Sequence, residues 1–400
     1  LPAALLFQEF QMSGYSPDFK DVPKTIAARF KPVGKGPFHD VPDAQWYDWK
    51  WQLQHRITDI AELGRYINLS PEEIAGHEAG RDVFKIGITP YYVALMDRDD
   101  PLCPVRMQAT PHPQEMISHP SDMEDPLAED RDMPVKGLTH RYPDRVLFYM
   151  TQDCAMFCRH CTRKRKVANP HTAADDAQVQ GCIDYIRRTP SVRDVIVSGG
   201  DALAVSDDRL EKILAQIRDI PHVEIIRIAT RTPCTMPMRI TDELVAMLKK
   251  YHPIFLNTHF NHPKEATAEA FAALRKIAGA GIPIGNQMVL LKGINDDAET
   301  VMKLNHAMLM MQVKPYYIYQ CDPTFGNYHF RTPVSKGIEI IKSLRGFTSG
   351  LAVPYYVIDA PGGGGKVPIL PEYVKSWENG VIVVRNFRGD EYTYIEPNQD

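Results

Sequence analysis

Between about residues 136 and 350 the chain alternates short apolar runs with helical patterns, and that alternation leaves few folds open. The runs Val146–Met150, Val195–Val197, Glu224–Ala229, Ile254–Thr258, Pro283–Leu291 and Pro315–Tyr319 predict strands. Between them lie amphipathic stretches such as Leu210-Ile213-Leu214-Ile217 and Leu244-Met247-Leu248. Alternation of this kind builds right-handed βαβ units around a parallel sheet. Six such units make a closed or partly open barrel, whose chemistry sits on the loops leaving the C-terminal ends of the strands.

Two flanking regions differ in texture. In the first, residues 1–135, Trp46, Trp49, Leu53, Ile57, Ile60, Leu63 and Ile67 mark one face of an amphipathic helix. Ser70-Pro71-Glu72-Glu73 then supplies an N-cap, a first-turn proline and a capping-box Glu. Residues 98–135, rich in Pro, Asp and Met without a period, read as a long surface connection, so this region is an N-terminal helical arm and link. The last region, 351–400, begins with the apolar stretch Val353–Ile358, passes through four glycines to Lys366 and ends in a short strand-like tail.

Composition removes several function classes. A chain that is 44% hydrophobic and 24% charged, with net charge -4, is a folded protein rather than a generally basic nucleic-acid binder. No apolar run approaches the roughly 20 residues that cross a bilayer. Leu1–Phe10 lacks the charged start of a secretory signal, so a cytoplasmic location is expected. Seven cysteines, an odd number, do not read as a disulfide framework.

Three of the seven form Cys154-Ala-Met-Phe-Cys158-Arg-His-Cys161, just after the first strand. Three thiolates on one loop wrap three corners of a cube-shaped iron–sulfur cluster and leave its fourth iron to an outside chelator. A closed zinc site needs a fourth ligand, and no nearby cysteine supplies one. Ser198-Gly199-Gly200-Asp201 follows the second strand; alone it is a tight turn, and beside the cysteine loop it becomes a place for a ligand. Asp359-Ala-Pro-Gly-Gly-Gly-Gly-Lys366 is no P-loop, because Ala360 stands where the first Gly belongs and Val367 follows the Lys. Its glycines let backbone approach a flat ligand, and Lys366 is either a solvated surface lysine or a Schiff-base lysine. The basic run Arg159–Lys166 reads as an RNA contact or as cations serving the cluster and carboxylate ligands.

Taken in order, the cysteine loop with Arg163, Tyr319-Gln-Cys-Asp322, His329-Phe-Arg-Thr-Pro333 and the Asp359–Lys366 turn resemble the lysine 2,3-aminomutases. Arg141-Tyr-Pro-Asp-Arg145 and Asn257-Thr-His-Phe-Asn-His-Pro263 extend the resemblance, which runs from about Trp46 to Pro397. It implies an α/β fold, a partly open (β/α)6 radical-SAM barrel holding a [4Fe-4S] cluster, S-adenosylmethionine (SAM) and pyridoxal 5′-phosphate (PLP). By motif, Cys154, Cys158 and Cys161 hold the cluster, and Lys366 carries PLP covalently. Arg141, Tyr142 and Arg145 help hold PLP, while His160, Gly199, Gly200, Asp201 and Gln287 surround SAM. Arg163 pairs with the substrate carboxylate, and Asp322 with Asp359 bind the distal ammonium.

The activity implied is migration of an α-amino group to the β-carbon, started by a SAM-derived radical and fed by an external one-electron reductant. Two carboxylates suit a cationic side chain and repel glutamate, so lysine is the expected substrate and arginine its rival. A radical-SAM enzyme acting on RNA or protein, or a simple iron–sulfur electron carrier, has no use for a closed PLP pocket. The chain ends at Glu396-Pro-Asn-Gln-Asp400 without the Cys-rich, zinc-binding tail of clostridial-type members, and the matching internal position is Asp297. No structural zinc is therefore expected, and the expected homo-oligomer is a dimer or larger joined through the N-terminal arm.

Overall fold

The computed structural model describes residues 22–167 and 174–397; Leu1–Phe10, read above for a secretory signal, lies outside them. One sheet of nine strands dominates, and each strand pairs only with its neighbours in sequence. It runs β1 (Leu138–Tyr142), β2 (Arg145–Thr151), β3 (Asp194–Gly199), β4 (Ile225–Ala229), β5 (Ile254–Thr258), β6 (Ile284–Leu290), β7 (Val313–Gln320), β8 (Tyr355–Ala360) and β9 (Gly365–Pro368). Strands β2 to β8 are parallel, while β1 and β9 are antiparallel hairpin partners at the two edges. Among the described residues β1 and β9 do not pair, so the barrel stays partly open.

All six expected strands are present, and the apolar stretch from Val353 supplies a seventh parallel strand, β8. Strand β1 lacks an apolar run and is held by the hairpin turn through Pro143-Asp144. Helices return between the strands and start where side-chain oxygens cap their free N–H groups. Ser206 caps Asp207–Arg218, Thr241 caps Asp242–Lys249, Thr267 caps Ala268–Gly279 and Asp297 caps Ala298–Met310. Each cap contributes about 1 kcal/mol. The core lies between layers, with Val195, Val197, Ile226, Ile228 and Leu256 of the strands fully buried against Leu210, Ile213, Leu214 and Leu248 of the helices. Among the described residues no helix is long and apolar enough to cross a membrane.

Two expectations for the first region need correction. The single helix expected from Trp46 to Ile67 is three short ones, Asp43–Trp46, Trp49–Gln54 and Ile60–Leu63. Asp48 and Asp59 each cap a new start, and Ile57 leaves the helix to bridge Ile88. The apolar spacing was real, since Trp46, Ile57, Leu63 and Ile67 are buried, but the backbone turns between them. The capping box Ser70–Glu73 forms as read. The supposed surface connection 98–135 is irregular but not superficial: Arg106, Gln108, Glu115 and Glu129 from it are all buried. The tail forms a separate three-stranded antiparallel sheet, β10 (Val374–Glu378), β11 (Val381–Arg385) and β12 (Glu391–Ile395).

Candidate active site

A cavity of about 780 Å³ opens at the C-terminal ends of the strands, and every residue assigned a site role above lines it. Its size is that of a cofactor or ligand pocket. The three cysteines lie on the loop leaving β2, pinned at one end by Arg56, which donates to the Cys154 carbonyl oxygen, and in the middle by the Phe157 N–H to Gly87 O bond. Burial, with Asp201 and the other two thiols nearby, pushes the Cys154 thiol well up; burial and Cys158 push Cys161 to about 11. Half-buried thiols crowded on one loop are relieved by binding a cationic centre, which fits a cluster. Among the described residues no three His, Cys, Asp or Glu side chains converge on one metal ion. Thiols serving separate corners of a cube are set wider than the ligands of one ion.

Gly199 and Gly200, which line the cavity, are also required by close packing. At Gly199, φ is +134°, and a Cβ would stand 2.1 Å from Thr151 O; at Gly200 it would stand 2.3 Å from Asp153 O. The turn after β3 thus lies against the start of the cysteine loop, where only glycine fits. Asp201, buried, accepts from the Thr230 hydroxyl at 2.5 Å, Arg231 N at 2.7 Å and Leu203 N at 2.9 Å, tying the ends of β3 and β4 together. His160 faces His259 at 3.1 Å between Nε2 atoms, and burial, then the Arg231 charge, keeps both rings neutral. His160 Nδ1 and Arg231 Nε are buried without a partner. Two such orphans in one wall, one on a cation, match a zwitterionic ligand such as SAM, and Gln287 lines the same wall.

The far side holds the lysine. The glycine turn, with positive φ at Gly362, Gly363 and Gly365, is a hairpin between β8 and β9 that sets Lys366 directly across from Asp359. The glycines therefore fold the chain back on itself, instead of opening backbone to a flat ligand. Lys366 Nζ pairs with both Asp359 oxygens, at 3.2 and 3.1 Å, and its backbone N–H donates to the Tyr142 hydroxyl at 3.0 Å. The Arg145 guanidinium lies over the Tyr142 ring, 3.7 Å from its centre, and Arg141 pairs with Asp132 at 3.0 Å. A lysine, a tyrosine and two arginines grouped at one end of a cavity fit an aldehyde cofactor bearing a phosphate. Asp322, at the end of β7, accepts from the Thr162 hydroxyl at 2.8 Å; burial, and then Asp359, push its carboxyl up to about 6.

The basic run is neutralised from the segment misread as a surface link. Glu115 accepts from Arg159 at 2.9 and 2.6 Å, and Glu129 accepts from Arg163 at 3.0, 3.2 and 2.8 Å. Asp130 takes Arg165 and Lys166, each at 2.7 Å. Burial alone would raise both glutamates, yet the cations hold Glu115 and Glu129 below the usual range. These cations face carboxylates and the cavity. Arg163 was expected to await a substrate carboxylate, and it already shares one edge with Glu129. No pattern in residues 98–135 signals Glu115 or Glu129. Arg231 and His259, also missed, stand just past β4 and β5, where the barrel rule places chemistry.

Residues 148–304 match the family described as the Radical SAM superfamily, and residues 341–400 the one described as Lysine-2,3-aminomutase. An L-lysine 2,3-aminomutase of Acetoanaerobium sticklandii is 54% identical over 361 residues, covering 90% of this chain and 87% of that protein. The chain belongs to the lysine 2,3-aminomutase family. The L-lysine 2,3-aminomutase of Clostridium subterminale is 54% identical over 360 residues, 90% of this chain and 86% of that one. A glutamate 2,3-aminomutase of Clostridioides difficile is 45% identical over 347 residues, 87% of this chain and 82% of that one. Family membership makes the chain a radical SAM protein, and Asp297, at the position read for a zinc ligand, here caps a helix through Thr300 N at 2.8 Å.

Proposed function

We propose that this protein is a radical SAM, PLP-dependent 2,3-aminomutase that converts L-lysine to β-lysine. The observation that carries the reading is the placement of Asp322 and Asp359 in the cavity that holds Lys366 and the cysteine loop. Cys154, Cys158 and Cys161 would hold the cluster, and Lys366, Tyr142, Arg141 and Arg145 would hold PLP. When bound, the cluster with SAM supplies a radical, and PLP supplies the π-system across which an amino group migrates.

The residues of the chain bind and orient. Lys366 would hold the cofactor's aldehyde end through Nζ, which Asp359 at 3.1 Å keeps in place before the cofactor enters. Arg163, whose Nε–Nη2 edge Glu129 holds, turns its Nη1 end to the substrate carboxylate. Asp322 and Asp359 hold the distal ammonium and reject a side-chain carboxylate by charge. With the substrate fixed at both ends, its α- and β-carbons are placed for reaction.

The test is an anaerobic assay of the reduced, reconstituted protein with SAM and PLP, offered lysine, arginine and glutamate. β-Lysine is the expected product. Turnover of arginine alone moves the assignment to the guanidinium, and turnover of glutamate alone contradicts the carboxylate pair. A pH series adds a second check. Asp322 must be ionised to hold an ammonium, and its carboxyl titrates at about 6. The KM for lysine should therefore stay level from pH 7 to 8 and rise about tenfold per unit below 6. A level KM down to pH 5 would remove Asp322 from substrate binding.

A further inference from the structure

Arg231 is the most heavily tethered side chain in the cavity, and the reading above gives its two Nη groups no task. Its guanidinium is 8% exposed and reaches in two directions. Nη1 donates to Cys158 Sγ at 2.8 Å, while Nη2 donates to Gln108 Oε1 at 2.6 Å and Glu265 Oε1 at 2.8 Å. Glu265, fully buried, is itself fixed by the Tyr92 hydroxyl at 2.8 Å, Gln108 Nε2 at 3.1 Å, Asn261 N at 2.6 Å and His262 N at 3.0 Å. The Arg231 backbone N–H is held by Asp201 at 2.7 Å. Segments far apart in sequence, around residues 92, 108, 201 and 265, thus converge to hold one N–H against one cysteine sulfur.

We propose that Arg231 is a positioning residue that raises the reduction potential of the iron–sulfur cluster by donating a hydrogen bond to the sulfur of Cys158. The proposal rests on the reading that Cys154, Cys158 and Cys161 hold the cluster. A donor on a ligand sulfur draws electron density from the iron and stabilises the added electron, so the cluster is easier to reduce. Glu265 balances the guanidinium charge, so the effect comes from the directed N–H rather than from net charge. The surrounding hydrogen bonds prevent the arginine from turning away, which keeps the bond during turnover. The barrel thereby tunes the electron step from the loop after β4, which supplies no cluster ligand.

The test is the midpoint potential of the reconstituted cluster without SAM, read by electron paramagnetic resonance at a series of poised potentials. Arg231→Met combined with Glu265→Gln removes donor and counter-charge together. Iron content should stay at the wild-type level, and the equilibrium constant for one-electron reduction should fall at least tenfold, about 59 mV. Glu265→Gln alone keeps the donor and should not lower the potential. If the double variant loses iron, Arg231→Lys, which keeps charge but not the fork, should still lower the potential. An unchanged potential in an iron-replete Arg231 variant overturns the proposal, as does a shift seen only with SAM present. A wild-type protein that takes up no cluster overturns the functional reading itself, a result separate from either.

Discussion

Replacing Lys366 with Ala should abolish the absorbance of covalently held PLP, and with it at least ~10³-fold of the aminomutase rate, the scale of losing a positioned acid–base and covalent group. The reason lies in how the lysine is held. The β8–β9 register sets it across from Asp359, and the Tyr142 hydroxyl fixes its backbone N–H. Tyr142, Arg141 and Arg145 remain in Lys366→Ala, so the cofactor phosphate end is still served while the bond to its aldehyde is lost. The fold should survive. The Lys366 side chain is 34% exposed but Asp359 only 7%, so losing the pair leaves a largely buried carboxylate and costs about 1–3 kcal/mol, too little to unfold a core of this size. Absorbance spectra before and after borohydride, with thermal unfolding of both proteins, check the prediction. A borohydride-stable cofactor adduct in Lys366→Ala would assign the bond to another lysine.

Replacing Asp322 with Asn should lower kcat/KM for lysine by about 2–5 kcal/mol, roughly 30-fold to several thousand-fold, the cost of leaving a buried ammonium without its partner. Asn has nearly the same shape and still accepts from the Thr162 hydroxyl, so the loss reports charge rather than packing. The same change should stabilise the fold near neutral pH. Burial pushes the folded-state carboxyl up to about 6 from the ordinary aspartate value of 3.8, so the native state binds the proton more tightly than the unfolded chain. Wild-type stability therefore falls as pH rises from about 4 through 6 and stays at the lower level above, whereas Asp322→Asn lacks that fall. Steady-state kinetics and denaturant unfolding at pH 5 and 7.5 measure both effects. Unchanged lysine kinetics would leave Asp359 to bind the ammonium alone.

The parts of the site readable in the chain are those written as local patterns. Cys154, Cys158 and Cys161 occupy one loop, and a three-then-two spacing means the same thing before and after folding. The strands were equally legible, because the face turned to the helices demands apolar residues in short runs wherever the strands fall. Lys366 was marked by its glycines, although the physical reason was a hairpin and not an opening for a ligand. The helix expected from Trp46 to Ile67 shows the opposite case. Its apolar spacing described what is buried, while Asp48 and Asp59, capping two new starts, decided where the backbone turns.

The sequence by itself determined the barrel strands, the loop that carries three thiols and the glycine turn with its lysine, because each is set by residue type and by spacing along a few neighbouring positions; the two carboxylates came with the family resemblance. Only the tertiary structure decided what each charge faces. Glu115 and Glu129, from a segment without periodicity, reach Arg159 and Arg163 across 44 and 34 positions of chain. Arg231 meets the Cys158 sulfur across 73. Partnerships over such distances leave no local pattern, since a buried charge requires an opposite group or a donor nearby in space and not in sequence.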